Sequence, residues 1–185
     1  MTFQKGLIAF GVLLLFFLLY LNNSVNQEPQ IQDQTVSKIS LGLPVRLKIP
    51  VIGVDAEIEH VGVNDGGEMD VPSNTANTAW FKPGTRPGEV GSAVIAGHFN
   101  GKQGERGVFA DLNKLKTGDK LYVQDNFGVM ATFEVQETSN YNPGFAEDVF
   151  GKSDGIYLNL ITCDGVWDVA EKSYTKRLVV LAVLI

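Results

Sequence analysis

Cysteine and histidine are scarce in this sequence of 185 residues, which contains one Cys and two His. A lone cysteine has no partner for an intramolecular disulfide, so an exported chain would carry a free thiol. In an oxidising compartment such a thiol is a liability unless it is buried or used in chemistry. Basic residues are also in the minority, with 15 Lys and Arg against 21 Asp and Glu. No basic patch is present, so we expect no nucleic-acid partner.

Clusters of metal ligands are lacking as well. No group of Cys, His and carboxylate residues has the spacing typical of a metal site. Asp65, Glu68 and Asp70 are close together, but they lie in a Gly-rich turn, where acidic residues are common. We therefore predict no bound metal and no other cofactor.

One long apolar run is present, from Gly6 to Leu21, and Lys5 precedes it. A cleaved secretory signal has an apolar core of about 7–15 residues followed by a small-residue cleavage site, whereas a membrane anchor needs about 20 apolar residues. No A-x-A-like site follows the run, so an uncleaved anchor over residues 1–21 is favoured over a signal segment or a buried core helix. The positive charge before it would leave the rest of the chain outside the cell.

Residues 22–42 are polar, rich in Gln and Asn, and without a clear period, which is typical of a flexible stalk. The folded domain is expected over residues 43–185. Its pattern is about eight short strands separated by turn signals, with at most two short helices, one of them over 109–115. This pattern predicts an all-β barrel or sandwich. The final strand is apolar throughout, as expected for a strand covered on both faces or one closing a barrel.

Cys163 is the first candidate for chemistry. The Asp164–Gly165 pair after it is a strong turn signal and predicts that a strand ends at this cysteine. A thiol at a strand end is held rigidly yet lies near solvent, as a nucleophile requires. Most free cysteines, however, are small buried hydrophobic residues, so both interpretations stand on composition alone.

His98 and Arg177 occupy similar positions. His98 follows the apolar segment Val94–Gly97 just before a loop, and Arg177 is predicted to open the last strand. Each alone fits an ordinary surface residue, and the other histidine, His60, fits the solvated face of an alternating strand. Together, a thiol, an imidazole and a guanidinium supply the nucleophile, the acid–base group and the oxyanion-stabilising cation of covalent acyl transfer.

Several stretches resemble the sortase family. They are AGHFNG around His98, LITCDG around Cys163, and the arginine of the final strand, to which the N-terminal run adds an anchor. The family motif Thr-Leu-x-Thr-Cys matches residues 159–163, with Asn159 in place of the first threonine. Further similarity over RLKIPVIGVDAEIEHVGVNDGGEMDVP, PGEVGSAVIAGH and VFADLNKLKTGDKLYV is greatest to the compact class F sortases, with class E next.

The resemblance implies an eight-stranded closed β-barrel with Cys163 as nucleophile, His98 as acid–base and Arg177 as the catalytic arginine. It implies cleavage of a Leu-Pro-x-Thr-Gly-like sorting signal between Thr and Gly and transfer of that surface protein to an amine acceptor such as a peptidoglycan precursor. The location implied is the outer face of a Gram-positive-type cell membrane. We further predict that Thr162 and Phe145 bind substrate, Phe145 within the recognition segment Tyr141 to Gly155.

Three alternatives compete with this interpretation. An L,D-transpeptidase would have a Ser-x-Gly-Cys motif, and Leu-Ile-Thr precedes Cys163 instead. A non-catalytic exported domain that binds the cell wall would leave Cys163 unreactive. A sortase that polymerises pili would often carry an Asp-Pro-aromatic lid upstream, and the sequence has no such tripeptide. General anchoring of proteins to the cell wall is therefore favoured.

Overall fold

The computed structural model of the protein describes residues 42–144 and 147–185. Within these residues eight strands close into one barrel, in the order β1-β2-β3-β4-β7-β8-β6-β5. The strands are β1 Pro44–Ile49, β2 Val54–Val61, β3 Thr78–Phe81, β4 Gly91–Gly97, β5 Lys120–Asp125, β6 Met130–Tyr141, β7 Ile156–Asp168 and β8 Ser173–Leu184. The predicted all-β barrel is confirmed, and the sandwich alternative is excluded.

The strand directions define two rims of the barrel. β4 and β7 are parallel neighbours, and both run toward the edge that we call the upper rim. β8 is antiparallel to β7 and begins at the upper rim. β1 and β6 also run toward this rim, so the turn between β5 and β6 lies at the opposite edge, the lower rim.

Alternation of apolar and polar residues in the short strands determines which side chains face the barrel core. In β5, Leu121 and Val123 point into the core while their neighbours are partly exposed. β4 and the middle of β8 are buried on both faces. Their inner side chains join the main core, whereas Val94 and Val179 pack with Val149 in a second cluster on the outer surface. The last strand, predicted to be covered on both faces or to close a barrel, is thus covered on both faces in its middle part.

Helices are short in the described part of the chain. They are two 3-10 helices, Pro50–Ile52 and Leu112–Lys114, and one α-helix, α1, at Glu147–Phe150. None of the helices that the structure describes has the length and apolar character needed to cross a bilayer. The predicted anchor over residues 1–21 lies outside the described residues.

The helix predicted over 109–115 is only a single 3-10 turn with flanking turns. Hydrogen bonds run from Leu112 N–H to Phe109 O (3.1 Å) and from Leu115 N–H to Leu112 O (3.2 Å). This i to i+3 pattern has three residues per turn, so the three side chains share one face as they would in an α-helix. All three are buried in the core. The apolar face was predicted correctly, but the length and type of the helix were wrong.

The two strands that carry Cys163 and Arg177 are longer than predicted. β7 continues beyond Cys163 to Asp168, and β8 begins before Arg177, at Ser173. The Asp164–Gly165 pair therefore does not end the strand. It lies in a bulge where the pairing register shifts, because Gly165 adopts φ 82° and its missing side chain leaves room for Thr175.

Candidate active site

Cys163 lies in β7 near the upper rim, directly opposite Arg177 of β8. Directly opposed residues of antiparallel strands have Cα atoms about 4.5–5.5 Å apart, so the two residues are neighbours and the charge of Arg177 acts on the thiol. Cys163 is half-buried. Burial raises the pKa of its thiol, and the positive charge of Arg177 offsets part of this rise. The thiol is therefore protonated at neutral pH in the isolated protein and needs a partner to become a thiolate.

Thr162 joins the strand of the cysteine to the strand that precedes His98. Its hydroxyl is buried and donates a 2.8 Å hydrogen bond to the carbonyl of Gly97. The parallel register between β4 and β7 pairs Ala96 with Ile161. His98 follows Gly97 directly, so it lies at the end of β4, the strand next to that of Cys163, and at the same rim of the barrel.

Hydrogen bonds fix both the backbone of His98 and the orientation of its ring. Its carbonyl accepts a 3.0 Å hydrogen bond from Phe109 N–H. Gly107 packs so closely that a β-carbon there would lie 2.1 Å from the same carbonyl oxygen. The ring Nε2 lies 3.0 Å from the carbonyl oxygen of Pro72. A carbonyl only accepts, so Nε2 carries the hydrogen and Nδ1 is the lone-pair nitrogen of the neutral ring.

The guanidinium of Arg177 is oriented by the β7–β8 hairpin. Nη1 donates 3.0 Å hydrogen bonds to the carbonyls of Tyr174 and Lys176, and Nη2 donates to the hydroxyl of Ser173 at 3.1 Å. These bonds fix the plane of the group at the start of β8. A fixed, planar cation next to a thiol can bind a developing oxyanion.

Three aromatic rings connect the loop of His98 to this hairpin. Tyr174 makes edge-to-face contacts with Phe99 at 5.6 Å and with Trp167 at 5.3 Å between ring centroids. Phe99 follows His98 directly in the chain. The rings therefore join the loop that begins at His98 to the β7–β8 hairpin that carries Arg177.

The segment between β6 and β7 covers the outer face of β4 and β7. Val149 of α1 is buried there, and its carbonyl accepts a 2.9 Å hydrogen bond from Nδ2 of Asn159. The hydroxyl of Ser92 donates a 3.0 Å bond to the carbonyl of Lys152. Asn159, which replaces the first threonine of the resembled motif, therefore holds this segment on the barrel. The sequence did not reveal this contact.

The remaining predicted site residues are placed as follows. Phe145 lies outside the described residues. Thr162 is buried and its hydroxyl binds Gly97, so its contact with substrate stays a prediction. His60 is exposed on β2, as predicted, and its Nε2 donates to Pro44 O at 2.7 Å. No group of three or more metal-ligating side chains occurs among residues 42–144 and 147–185.

Glu59 was missed at the sequence level. It is a half-buried carboxylate on β2 that accepts hydrogen bonds from the segment following Pro72. The available signal was the run PSNTAN over residues 72–77. Its short polar side chains and free N–H groups need acceptors, which a strand carboxylate can supply.

The sequence matches the family model described as "Sortase domain" over residues 47–185. A comparison with curated protein sequences gives no match.

Solved structures with the same fold include three sortases. Sortase C-1 from Actinomyces oris is 25% identical with a TM-score of 0.61, over 77% of this chain and 74% of that chain. The pilus-related sortase C of Group B Streptococcus is 23% identical with a TM-score of 0.60, over 80% and 69%. The sortase D5 transpeptidase of Clostridium perfringens is 22% identical with a TM-score of 0.57, over 78% and 79%. These likenesses do not confirm the predicted resemblance to class F or E.

Proposed function

The chain belongs to the sortase family, a family of cysteine transpeptidases, and from this premise we propose that Cys163, His98 and Arg177 form its active site. The observation that carries the proposal is the meeting of three strands at the upper rim. β8 presents Arg177 opposite Cys163, and the bond from Thr162 to Gly97 aligns the end of β4 with β7. This arrangement supports the assignment of a nucleophile, an acid–base group and a cation to one rim of a rigid barrel.

In the first half of the proposed reaction, neutral His98 takes the proton of the Cys163 thiol, and the resulting thiolate attacks the carbonyl carbon of the threonine in a sorting signal. The negative charge moves to the carbonyl oxygen, where the guanidinium of Arg177 stabilises it. The tetrahedral intermediate collapses, the bond between carbon and nitrogen breaks, and protonated His98 donates a proton to the leaving glycine amine. The products are a thioester on Cys163 and a released peptide whose N-terminal residue is glycine.

In the second half, an amine acceptor attacks the thioester carbonyl. Neutral His98 takes the proton that the amine loses, and Arg177 again stabilises the oxyanion. The bond between carbon and sulfur breaks, which returns the Cys163 thiolate beside protonated His98. The sorted protein is then joined to the acceptor by an amide bond.

The substrates we propose are surface proteins with a C-terminal Leu-Pro-x-Thr-Gly-like signal, and the acceptor is a peptidoglycan precursor. The segment between β6 and β7, which packs on the outer face of β4 and β7, would contact the apolar residues of the signal, with Phe145 and Thr162 as the predicted contacts. Residues 1–21 would anchor the protein in the membrane with its catalytic domain outside. Assignment to class F, with class E next, rests on the sequence stretches alone.

Pilus polymerisation is the second candidate, because a pilus-related sortase is among the structural neighbours. The absence of an Asp-Pro-aromatic tripeptide from the sequence favours wall anchoring. Competition between two acceptors tests the choice: a glycine-terminated peptide, as in a wall precursor, and a peptide with a single lysine ε-amine. We expect the glycine product to predominate. Predominant lysine product would favour the pilus alternative.

The nucleophile is tested by Cys163→Ala and Cys163→Ser in the full-length protein, with a fluorogenic sorting peptide and an amine acceptor present. We expect both variants to lose cleavage and transfer, because neither has a thiol. Exposed Asn113 of the second 3-10 helix, replaced by alanine, serves as the control and should retain activity. Wild-type rates in either cysteine variant would exclude the proposed mechanism.

A further inference from the structure

Glu59 lies at the centre of a hydrogen-bond network next to the active site. One carboxylate oxygen accepts the backbone N–H of Ser73 at 2.9 Å. The other accepts the hydroxyl of Ser73 and the Nδ2 of Asn77, both at 2.8 Å. Three donors thus converge on one half-buried carboxylate of β2.

The segment that Glu59 holds is Pro72–Asn77, which we call the strap. The side chain of Asn74 braces it from within by accepting the N–H groups of Ala76 and Asn77 at 2.9 and 3.0 Å. The carbonyl of Thr75 accepts a 2.8 Å bond from Val108 N–H. At its first residue the strap presents the Pro72 carbonyl to the ring of His98. A continuous set of contacts therefore runs from Glu59 to the imidazole.

We propose that Glu59 is a positioning residue that fixes the orientation and tautomer of His98 through the strap. This inference rests on the proposed function, in which His98 transfers protons. Ser73, which Glu59 holds by two bonds, follows directly after Pro72, so moving Ser73 moves the acceptor of His98 Nε2–H. With Nε2–H held by Pro72, Nδ1 remains as the nitrogen that exchanges protons with the thiol and the amine.

Electrostatics support this arrangement. Burial acts to raise the pKa of the Glu59 carboxyl, but the hydrogen bonds from Ser73 and Asn77 outweigh it, and the net pKa is lowered. Attraction to a protonated His98 adds to the lowering. Glu59 is therefore ionised at neutral pH and can hold all three donors of the strap. Loss of this carboxylate should affect proton transfer at His98 more than peptide binding.

The first test reads the His98 ring directly. The full-length protein, labelled with ¹⁵N-histidine, has only two imidazoles to assign. In the wild type we expect neutral His98 to show a protonated Nε2 and an unprotonated Nδ1. In Glu59→Ala we expect the two ring signals to move toward a mixture of tautomers. The matched control is Glu57→Ala, an exposed carboxylate two residues earlier on the same face of β2, which should leave the His98 signals unchanged.

The second test is kinetic. Glu59→Ala should lower kcat by about 10-fold to 100-fold with little change in KM, because a displacement of about 1 Å at a reacting group can cost about 100-fold. Glu59→Gln should lower kcat less. The new side chain keeps one oxygen that accepts a hydrogen bond, but its amide nitrogen is a donor and faces the donor Nδ2 of Asn77. Adding Asn77→Asp to Glu59→Gln restores a donor–acceptor pair and should recover both kcat and the His98 signals.

Unchanged His98 signals in folded Glu59→Ala, or equal changes in Glu57→Ala, would overturn the proposal. If Glu59→Ala does not fold, the His98 ring signals and kcat of Glu59→Gln test the proposal instead. The test is also independent of the proposed reaction. If the wild type cleaves no sorting peptide, the proposed function fails, while the ring signals still show whether Glu59 controls His98.

Discussion

Cys163 is half-buried beside a cation, and these two features act on its thiol in opposite directions. Burial is the larger effect and raises the pKa, while Arg177 lowers it. A raised pKa means that the thiolate fraction at a given pH is smaller than that of a free cysteine, whose pKa is about 8.5. In the proposed mechanism the thiol therefore needs a base, the role proposed for His98, to become a nucleophile.

The first prediction concerns alkylation of Cys163 by iodoacetamide as a function of pH. The rate should rise with pH, with a midpoint above that of a free cysteine. Arg177→Ala should move the midpoint to higher pH, because a nearby positive charge is removed, and Arg177→Lys should move it less. Turnover should fall strongly in both, since lysine lacks the planar fork of arginine. A midpoint unaffected by Arg177→Ala would contradict the placement of this cation beside the thiol.

The three candidate catalytic residues could be selected from the sequence by their neighbours, but the contacts that align them could not. Thr162 and Gly97 are 65 residues apart in the sequence, and their hydrogen bond depends on a parallel register that appears only in the folded barrel. The contact between Pro72 and His98 depends in the same way on the path of a loop. Local patterns carry no information on such pairs.

At the scale of single elements, α1 is attached to the barrel by buried polar groups. Asn159 is 2% exposed and donates to the carbonyl of Val149, and Phe150 stacks edge to face on Phe81 at 5.4 Å. A polar residue in the buried part of β7 is thereby satisfied. This pairing attaches the segment between β6 and β7 to the barrel.

The second prediction follows from this attachment. Asn159→Ala leaves the Val149 carbonyl without its donor, which should cost about 1–3 kcal/mol of stability and loosen the segment between β6 and β7. KM for a sorting peptide should rise several-fold while kcat changes less. Asn140→Ala, an exposed asparagine on β6, is the control. Equal KM values for the two variants would show that the attachment of α1 does not affect peptide binding.

The hairpin of β7 and β8 shows where sequence patterns misled at this scale. An Asp-Gly pair commonly marks a turn, but here a bulge absorbs Gly165 and pairing resumes with Trp167 opposite Tyr174. A local turn signal does not reveal whether the strands continue to pair beyond it. The alternation in β1 and β5 was a safer guide, because it reports directly which face is buried.

At the scale of the whole molecule, the two rims are stabilised by different means. The lower rim is closed by Asp125, whose carboxylate accepts the N–H groups of Gly42 at 2.6 Å, Val129 at 2.7 Å and Phe127 at 2.9 Å. Burial acts to raise its pKa, but these backbone hydrogen bonds prevail and the pKa is lowered. Asp125 thus joins the beginning of the domain to the turn between β5 and β6.

The third prediction is the pH dependence of stability that this carboxylate causes. A lowered folded-state pKa contributes stability that is complete above the unfolded value of about 3.9 and is lost as the pH falls through the folded pKa. Asp125→Asn should therefore lower the urea midpoint of unfolding at neutral pH. On acidification, the midpoint of this variant should fall less than that of the wild type. Asp65→Asn, in an exposed turn, is the control. Parallel pH profiles for Asp125→Asn and the wild type would contradict this role.

The closed barrel was the part of the molecule that the sequence predicted best, because strand alternation and frequent turns restrict an all-β chain to few architectures. The small second cluster of buried residues, formed by Val94, Val149 and Val179, was not predicted. It arises when α1 folds back onto the outside of the barrel, and nothing in the local sequence of α1 specifies that surface.

The most direct test of the proposed function is intact mass spectrometry of the full-length protein mixed with a sorting peptide, without an amine acceptor. We predict a covalent adduct on Cys163 equal to the peptide up to its threonine, with release of the glycine fragment. Addition of a glycine-terminated acceptor should then discharge the adduct as an amide product. Release of the glycine fragment by Cys163→Ala at the wild-type rate, or an adduct mapped to any other residue, would contradict a thioester mechanism at Cys163.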